Sequence, residues 1–545
     1  MNISEILKER ATTCPEVVAI LETRNGSSRV LTFAGLERAS AQAAALLRGA
    51  GFRPGDAVLV FHPMSAELYI ALLAIFRLGL VAMFLDPSAG TEHIDRSCAL
   101  YPPRGLIASS RAHLLRLLSP SMRAIPVKFS IGLPVPGAMR WAKAKNLAPD
   151  ERIHPCRSDT PALLTFTSGS TGRPKAAVRT HGFLMAQHRV LEQGLGLTPG
   201  EIDLTALPIF VLINLASGIT SLIPDADLRY PGCIDPAPLV KQIHAHNPTR
   251  AVASPALLEC LADYCIERTL TLPGLNKIFS GGAPVFPRLL GKLRSLAPQA
   301  EIIAVYGSTE AEPIAQIAHH AIDVEDVAAM VAGRGLLAGH PVPAIELRIL
   351  RDQWGIPIGP YTRTEFSATC LPPGVAGEIV VSGIHVLPGY LHGQGDEETK
   401  FSVDGRPWHR TGDAGYLDDR GRLWLLGRCA ARIEDPRGTL YPFTVECAAN
   451  HHPGVRRSAA ISQEGRRILA VQLEDHKAST DLAFLRKELG WASIDEIQVH
   501  RYIPVDKRHN AKIDYPALYK LVAHERSSSA IERRIRCSIS NSNAG

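Results

Sequence analysis

The sequence predicts an α/β protein with a large N-terminal domain of parallel and mixed sheets and helices, followed by a small, mobile α+β domain. Three observations predict it. Apolar runs bounded by Gly, Pro and Asp alternate with helix-length periodic segments over most of the chain. The texture changes past residue 377, and the chain restarts as a compact segment after Gly427-Arg428. At 545 residues the chain also exceeds one ordinary core, so more than one domain is expected. The division is residues 1–428 for the large domain and 429–525 for the small one. Residues 526–545, rich in Ser, Arg and Asn, read as a disordered tail.

Taken in order, Met1-Asn2-Ile3-Ser4-Glu5-Ile6-Leu7-Lys8-Glu9-Arg10 is charged where a signal peptide would be apolar, and reads as a short amphipathic helix. Asp56-Ala57-Val58-Leu59-Val60-Phe61 is a strand, 66–77 a helix and 81–85 a strand, which together make a βαβ unit. The stretch 66–85 is nearly apolar and about long enough to cross a bilayer. Glu67 and Arg77 sit inside it, however, and Gly79 interrupts it, so a buried helix leading to a buried strand fits better than a membrane span. The alternation returns at Arg250-Ala251-Val252-Ala253, at Lys277-Ile278-Phe279-Ser280 and at 301–306, implying parallel strands with loops at their C-terminal ends. Further on, Glu378-Ile379-Val380-Val381 and Leu423-Trp424-Leu425-Leu426 are strand-like, with turn chemistry at Asp418-Asp419-Arg420-Gly421.

Composition excludes some functions. A formal charge of +6 is small for this length and is not gathered into a basic arm, so no nucleic-acid partner is expected. The ten cysteines are scattered without a Cys-x-x-Cys pair. Neither Cys260 with Cys265 nor Cys429 with Cys447 has zinc or redox spacing. Reduced, packed thiols suit a cytoplasmic protein.

The strongest chemical signal follows the strand Leu163-Leu164-Thr165-Phe166. It runs into Thr167-Ser168-Gly169-Ser170-Thr171-Gly172-Arg173-Pro174-Lys175. Four hydroxyls, small residues that let backbone N–H groups converge, and a cation at the exit are the parts an oligophosphate needs. No Gly-Lys-[Ser/Thr] follows at Walker spacing, which argues against a P-loop phosphotransferase. The bland alternative is a Ser/Gly-rich surface loop.

This loop resembles the phosphate loop of the adenylate-forming superfamily, which includes acyl-CoA synthetases, luciferases and peptide-synthetase adenylation domains. The resemblance runs from about residue 5 to about residue 520, with further motifs in the expected order. Gly281-Gly282-Ala283-Pro284 resembles the adenine-contacting turn. Tyr306-Gly307-Ser308-Thr309-Glu310 resembles the motif in which the aromatic residue stacks near adenine, Thr309 meets phosphate and Glu310 binds magnesium. Thr411-Gly412-Asp413 resembles the ribose-binding motif, Gly427-Arg428 the end of the large domain, and Asn510-Ala511-Lys512-Ile513 the C-terminal lysine motif.

The resemblance implies an enzyme that uses ATP and Mg²⁺ to convert a carboxylic acid into an acyl-adenylate, releasing pyrophosphate. Thr167, Glu310 and Lys512 would be catalytic, with Lys175 and Arg428 in the nucleotide site. The physics agrees. A carboxylate attacking the α-phosphate brings two anions together, and Lys512, Lys175 and a metal on Glu310 would offset the charge. Asp413 offers two acceptor oxygens to the paired hydroxyls of a ribose. A non-catalytic ATP-binding scaffold would be expected to have lost Lys512, Glu310 or Asp413, and all three are present. In the family the small domain swings about a hinge, placed here near Cys429-Ala430-Ala431.

The sequence departs from common acyl-CoA synthetases in lacking the polar hinge residue after Gly427-Arg428. It also has Val211, in Leu207-Pro208-Ile209-Phe210-Val211, where many members carry His. With Arg508-His509-Asn510-Ala511-Lys512-Ile513, these features resemble the β-lactone synthetases of bacterial olefin formation. That branch adenylates a β-hydroxy acid and lets its own hydroxyl displace AMP. A fatty or 3-hydroxy fatty acid is then the expected substrate. The alternative is a thioester with CoA or a carrier protein. An acyl pocket is expected between Phe210 and Leu215, around 254–258 and beside 281–285, its lining mostly apolar with Ile209, Phe210, Leu212, Ile213 and Leu257.

Overall fold

The apolar stretch 66–85 is accommodated by burial and pairing. In this computed structural model, which describes residues 2–24, 26–85, 90–168, 174–474, 482–505 and 512–523, the helix Ala66–Arg77 is capped by Ser65, whose hydroxyl accepts from Leu68 N–H. Every residue of that helix except Glu67 is buried. Its two charges both have partners. Glu67 accepts from Arg29 at 2.8 Å and from the Trp141 indole at 3.0 Å. The fully buried Arg77 donates to the Glu37 carboxylate at 2.6 Å and to the Asp150 carbonyl at 2.8 Å. The strands Ala57–Phe61 and Val81–Phe84 flank this helix in sequence and pair in parallel, giving the expected βαβ unit. Among the described residues no helix is long and apolar enough to cross a membrane.

Two large sheets position everything that follows. A seven-stranded sheet runs Met139–Arg140, Val127–Ile131, Gly105–Ser109, Ala57–Phe61, Val81–Phe84, Pro161–Ser168 and Pro174–Thr180. All its pairings are parallel except the last, which is an antiparallel hairpin. The register pairs Thr167 with Lys175 and Ser168 with Pro174, so the Ser/Thr/Gly loop is carried at the hairpin tip. Gly169, Ser170, Thr171, Gly172 and Arg173 lie outside the described residues.

A fourteen-stranded sheet contains the parallel run Thr220–Ile223, Ile202–Thr205, Arg250–Ala253, Lys277–Gly281 and Glu301–Ser308. It continues antiparallel through Ala311–Ala318, Leu336–Pro341, Leu423–Arg428, Arg406–Leu417 and Gly377–Gly383. The C-terminal ends of two adjacent parallel strands therefore deliver Gly281-Gly282 and Ser308-Thr309-Glu310 side by side. Such ends are where α/β sheets bind ligands. Gly281 is needed for this closeness, because a Cβ there would sit 2.9 Å from the Val305 carbonyl.

After Arg428 a 3-10 turn, Cys429–Ala431, leads to a C-terminal segment. There the strands Val455–Gln463, Arg466–Leu473 and Glu496–Val499 form a sheet of their own. Val445, Ala448, Leu469, Val471 and Leu485 make one of its cores. The segment is latched to the preceding domain through Asp352. Its carboxylate accepts from Arg432 at 2.6 Å and from the Tyr441 hydroxyl at 2.9 Å. The arrangement gives an expected outcome for Asp352→Ala. Losing two hydrogen bonds to a charged group should weaken docking by about 2 kcal/mol, so tryptic cleavage after Arg432 and Arg437 should accelerate several-fold. Unchanged cleavage would refute the latch.

Candidate active site

Strand periodicity puts Lys175, Ala177 and Arg179 of the hairpin on one face. Both cations are buried there. Arg179 donates to Thr165 Oγ1 at 2.7 Å and to the Thr309 carbonyl at 2.9 Å, tying the hairpin to the Ser308-Thr309-Glu310 turn. Lys175 donates to Glu398 Oε2 at 2.7 Å, and its ammonium lies 5.9 Å from the centre of the Tyr390 ring. Gly395, at φ +96°, leaves the space Lys175 occupies, since a Cβ there would come 2.5 Å from Lys175 Cε.

Tyr390 is shared by two lysines. Lys400 sits 5.6 Å from the ring centre and donates to the Leu387 carbonyl. Burial pulls its pKa down to about 8, against the opposing charges of Glu310 and Asp396. The Tyr390 hydroxyl donates to Glu310 Oε1 at 2.6 Å. Burial works against the Glu310 carboxylate, but His409, the Tyr390 hydroxyl and Lys400 outweigh it and hold the pKa below the usual range. Glu310 is thereby kept ionised. Among the described residues no group of three or more His, Cys, Asp or Glu could hold a metal. A single ionised carboxylate suits Mg²⁺, which takes one or two carboxylates plus waters and phosphate oxygens.

A second cluster gathers three of the expected residues. Asp413 Oδ2 accepts from the Tyr306 hydroxyl at 2.7 Å, and Asp413 Oδ1 lies 3.1 Å from Arg428 Nε. Arg428 also donates to the Thr411 carbonyl at 3.2 Å. Burial first, then Asp413, raises the Tyr306 pKa well above its ordinary value, so the phenol stays a donor. Gly282, at φ +84°, turns the chain from its strand into Ala283 and Pro284. Gly307 faces Ala311 so closely that a Cβ would lie 3.0 Å from its carbonyl, and Ser308 Oγ accepts from Glu310 N–H at 3.2 Å.

The model of the AMP-binding enzyme family matches residues 7–391. The chain belongs to that family. It is an acyl-adenylate-forming enzyme. It is 31% identical to the olefin beta-lactone synthetase of Stenotrophomonas maltophilia, over 94% of this chain and 96% of that protein. It is 32% identical to the olefin beta-lactone synthetase of Xanthomonas campestris, over 96% of this chain and 98% of that one. The solved anthranilate CoA ligase AuaEII, in complex with anthranoyl-AMP, superposes with a TM-score of 0.81. It covers 97% of this chain and 98% of that one, at 17% identity, and shares the fold.

In the structure of this AMP-binding enzyme Lys175 lies on a strand of the smaller sheet, Tyr306, Asp413 and Arg428 lie on strands of the larger one, and Thr309 and Glu310 lie in the turn after the strand that carries Tyr306. Thr167 and Ser168 contribute the backbone at the hairpin tip. Lys512 is exposed on the C-terminal segment, next to Ile513, which packs on that segment's core. The expected acyl pocket needs correction. Phe210 and Ile213 pack into a core cluster with Leu191, Val252, Phe279 and Ile303, and Leu257 is wholly buried in another. The helix Pro208–Ser217 spends these side chains on the sheet beneath it. Ile209, Leu212 and Ile213 also border a cavity of ≈ 50 Å³, far below the roughly 300–1,000 Å³ of ligand pockets.

Sequence reasoning missed Tyr390 and Glu398, which contact Glu310 and Lys175 directly, and Lys400 beside the Tyr390 ring. It also missed Arg179, although alternation with Lys175 signals a shared face. Because Glu398 holds Lys175, the carboxylate competes with any phosphate for that lysine. Glu398→Gln should therefore lower the KM for ATP in pyrophosphate exchange by about three- to tenfold. An unchanged or raised KM would contradict the competition.

Proposed function

We propose that this enzyme activates a 3-hydroxy fatty acid as its acyl-adenylate and that the acid's own hydroxyl then displaces AMP, closing a β-lactone. The observation that carries the reading is the identity of 31–32% to two olefin beta-lactone synthetases over nearly the full length of all three chains. The geometry supports its first half. Lys175 leaves Glu398 for the triphosphate, while Thr309 and the hairpin tip supply polar groups around it. Asp413 exchanges its contacts with Tyr306 and Arg428 for the ribose hydroxyls. Glu310, ionised and half-buried, is the residue that would hold magnesium, which supplies positive charge beside the phosphates. Lys512 arrives when the C-terminal segment rotates about Cys429–Ala431, completing the cationic set.

The second half needs no external acceptor. The hydroxyl on the third carbon belongs to the same acyl group as the activated carbonyl, so the attack is intramolecular once the site orients it. The absence of a polar residue directly after Gly427-Arg428 agrees with a hinge that no longer serves a pantetheine thiol.

Mass spectrometry of the product from a 3-hydroxyacyl substrate with ATP, with and without CoA, tests the reading. The expected product is the acid less one water, formed equally without CoA. A CoA adduct formed in its place would establish the thioester reaction and overturn lactone closure.

A further inference from the structure

Of the cations assigned to adenylation above, Lys512 is the one carried by the C-terminal segment, so its position depends on what fixes the chain there. The residues directly after it are held in turn. Ile513 bridges Val505 in antiparallel register, and Asp514 N–H donates to the Pro504 carbonyl at 3.0 Å. Tyr515 opens the helix 515–523, whose Leu518 and Val522 pack with Ile461 and Ile468 of the sheet. The Tyr515 hydroxyl donates to Glu446 Oε1 at 2.7 Å, joining positions 69 apart in sequence.

Glu446 belongs to the helix Pro442–His451, which seats the segment on the large domain. Val445, Ala448 and Ala449 of that helix enter the segment's own core. Phe443 and Cys447, one turn apart, face the other way. The Phe443 ring lies 6.2 Å from that of Phe286, and the Cys447 thiol donates to the Gly335 carbonyl. The buried Glu446 serves a third neighbour. The strand Val455–Gln463 is the edge of its sheet, and Ala460 N–H donates to Glu446 Oε1 at 3.0 Å. One carboxylate oxygen therefore ties together the docking helix, the open sheet edge and the residue three positions after Lys512. Burial pushes the Glu446 carboxyl up to about 7, and the Tyr515 hydroxyl and Ala460 N–H oppose that rise. Satisfying the edge requires only the Ala460 bond; the Tyr515 bond is additional to it.

Resting on the role proposed for Lys512, we infer that Glu446 and Tyr515 are positioning residues for it. Their hydrogen bond fastens the lysine-bearing chain to the helix by which the segment docks. The place of the ammonium is thereby set by how that helix is seated, and adenylation gains a cation of fixed position rather than one on a loose strand.

Tyr515→Phe deletes the hydroxyl and leaves the bond between Glu446 and Ala460 in place, so a double-mutant cycle with Lys512→Ala isolates the link. Single-turnover formation of the acyl-adenylate is measured with the full chain in excess over the fatty or 3-hydroxy fatty acid that the wild type adenylates fastest. Tyr515→Phe should lower the rate at saturating ATP by about 10- to 100-fold, with the ATP concentration for half-maximal rate unchanged. In the Lys512→Ala background the same substitution should cause no further loss. A loss by the same factor in both backgrounds, which a general weakening of the segment would give, or no loss in either, would overturn the inference. Lys512→Ala that keeps the wild-type rate would overturn the role of Lys512 itself, and that result comes from a chain in which Tyr515 is intact.

Discussion

Glu310 must remain an anion in a half-buried place, and the Tyr390 hydroxyl, 2.6 Å away, makes that possible. Most of the site is arranged around this one hydrogen bond. Lys175 reaches the Tyr390 ring from the hairpin of one sheet, and Lys400 reaches it from the segment that precedes the long strand Arg406–Leu417 of the other. Two cations, a phenol and the carboxylates of Glu310 and Glu398 balance one another before any ligand arrives. Isolated charges in such a setting would be costly, whereas a paired network can be opened by a polyanion and a metal that replace its internal contacts.

Much of this fold can be read directly from residue order. The alternation around Ala66–Arg77 gives the βαβ unit because the pattern of burial is the pattern of the sequence. Tyr306 and Asp413, 107 positions apart, meet because the strands carrying them belong to one sheet, and motif order anticipates that meeting. Tyr390, Glu398 and Lys400 could not be found in the same way. A tyrosine and an acidic run between strands look like ordinary loop, and their role depends on a contact with Lys175 across 223 positions. Apolar side chains on Pro208–Ser217 misled for a related reason. Periodicity shows that a face is apolar, but whether it meets a sheet or a substrate depends on what lies opposite.

The C-terminal segment follows a different logic. Its own cores make it a compact body, while Asp352 joins it to the rest through Arg432 and Tyr441. Further contacts add to this join, with Cys447 packed into a core of the preceding residues and Arg288 ion-paired with Glu474 at 2.7 Å. The exposed position of Lys512 belongs to this arrangement.

The central claim is that the ionised Glu310 beside Tyr390 serves adenylation. Acid-dependent ATP–pyrophosphate exchange by Glu310→Gln, at saturating magnesium, tests it most directly because the amide can still accept from the Tyr390 hydroxyl and preserve the surrounding structure. Exchange should fall by about 10²–10³-fold while the urea midpoint stays near that of the wild type. Exchange at a rate comparable with the wild type would contradict the claim.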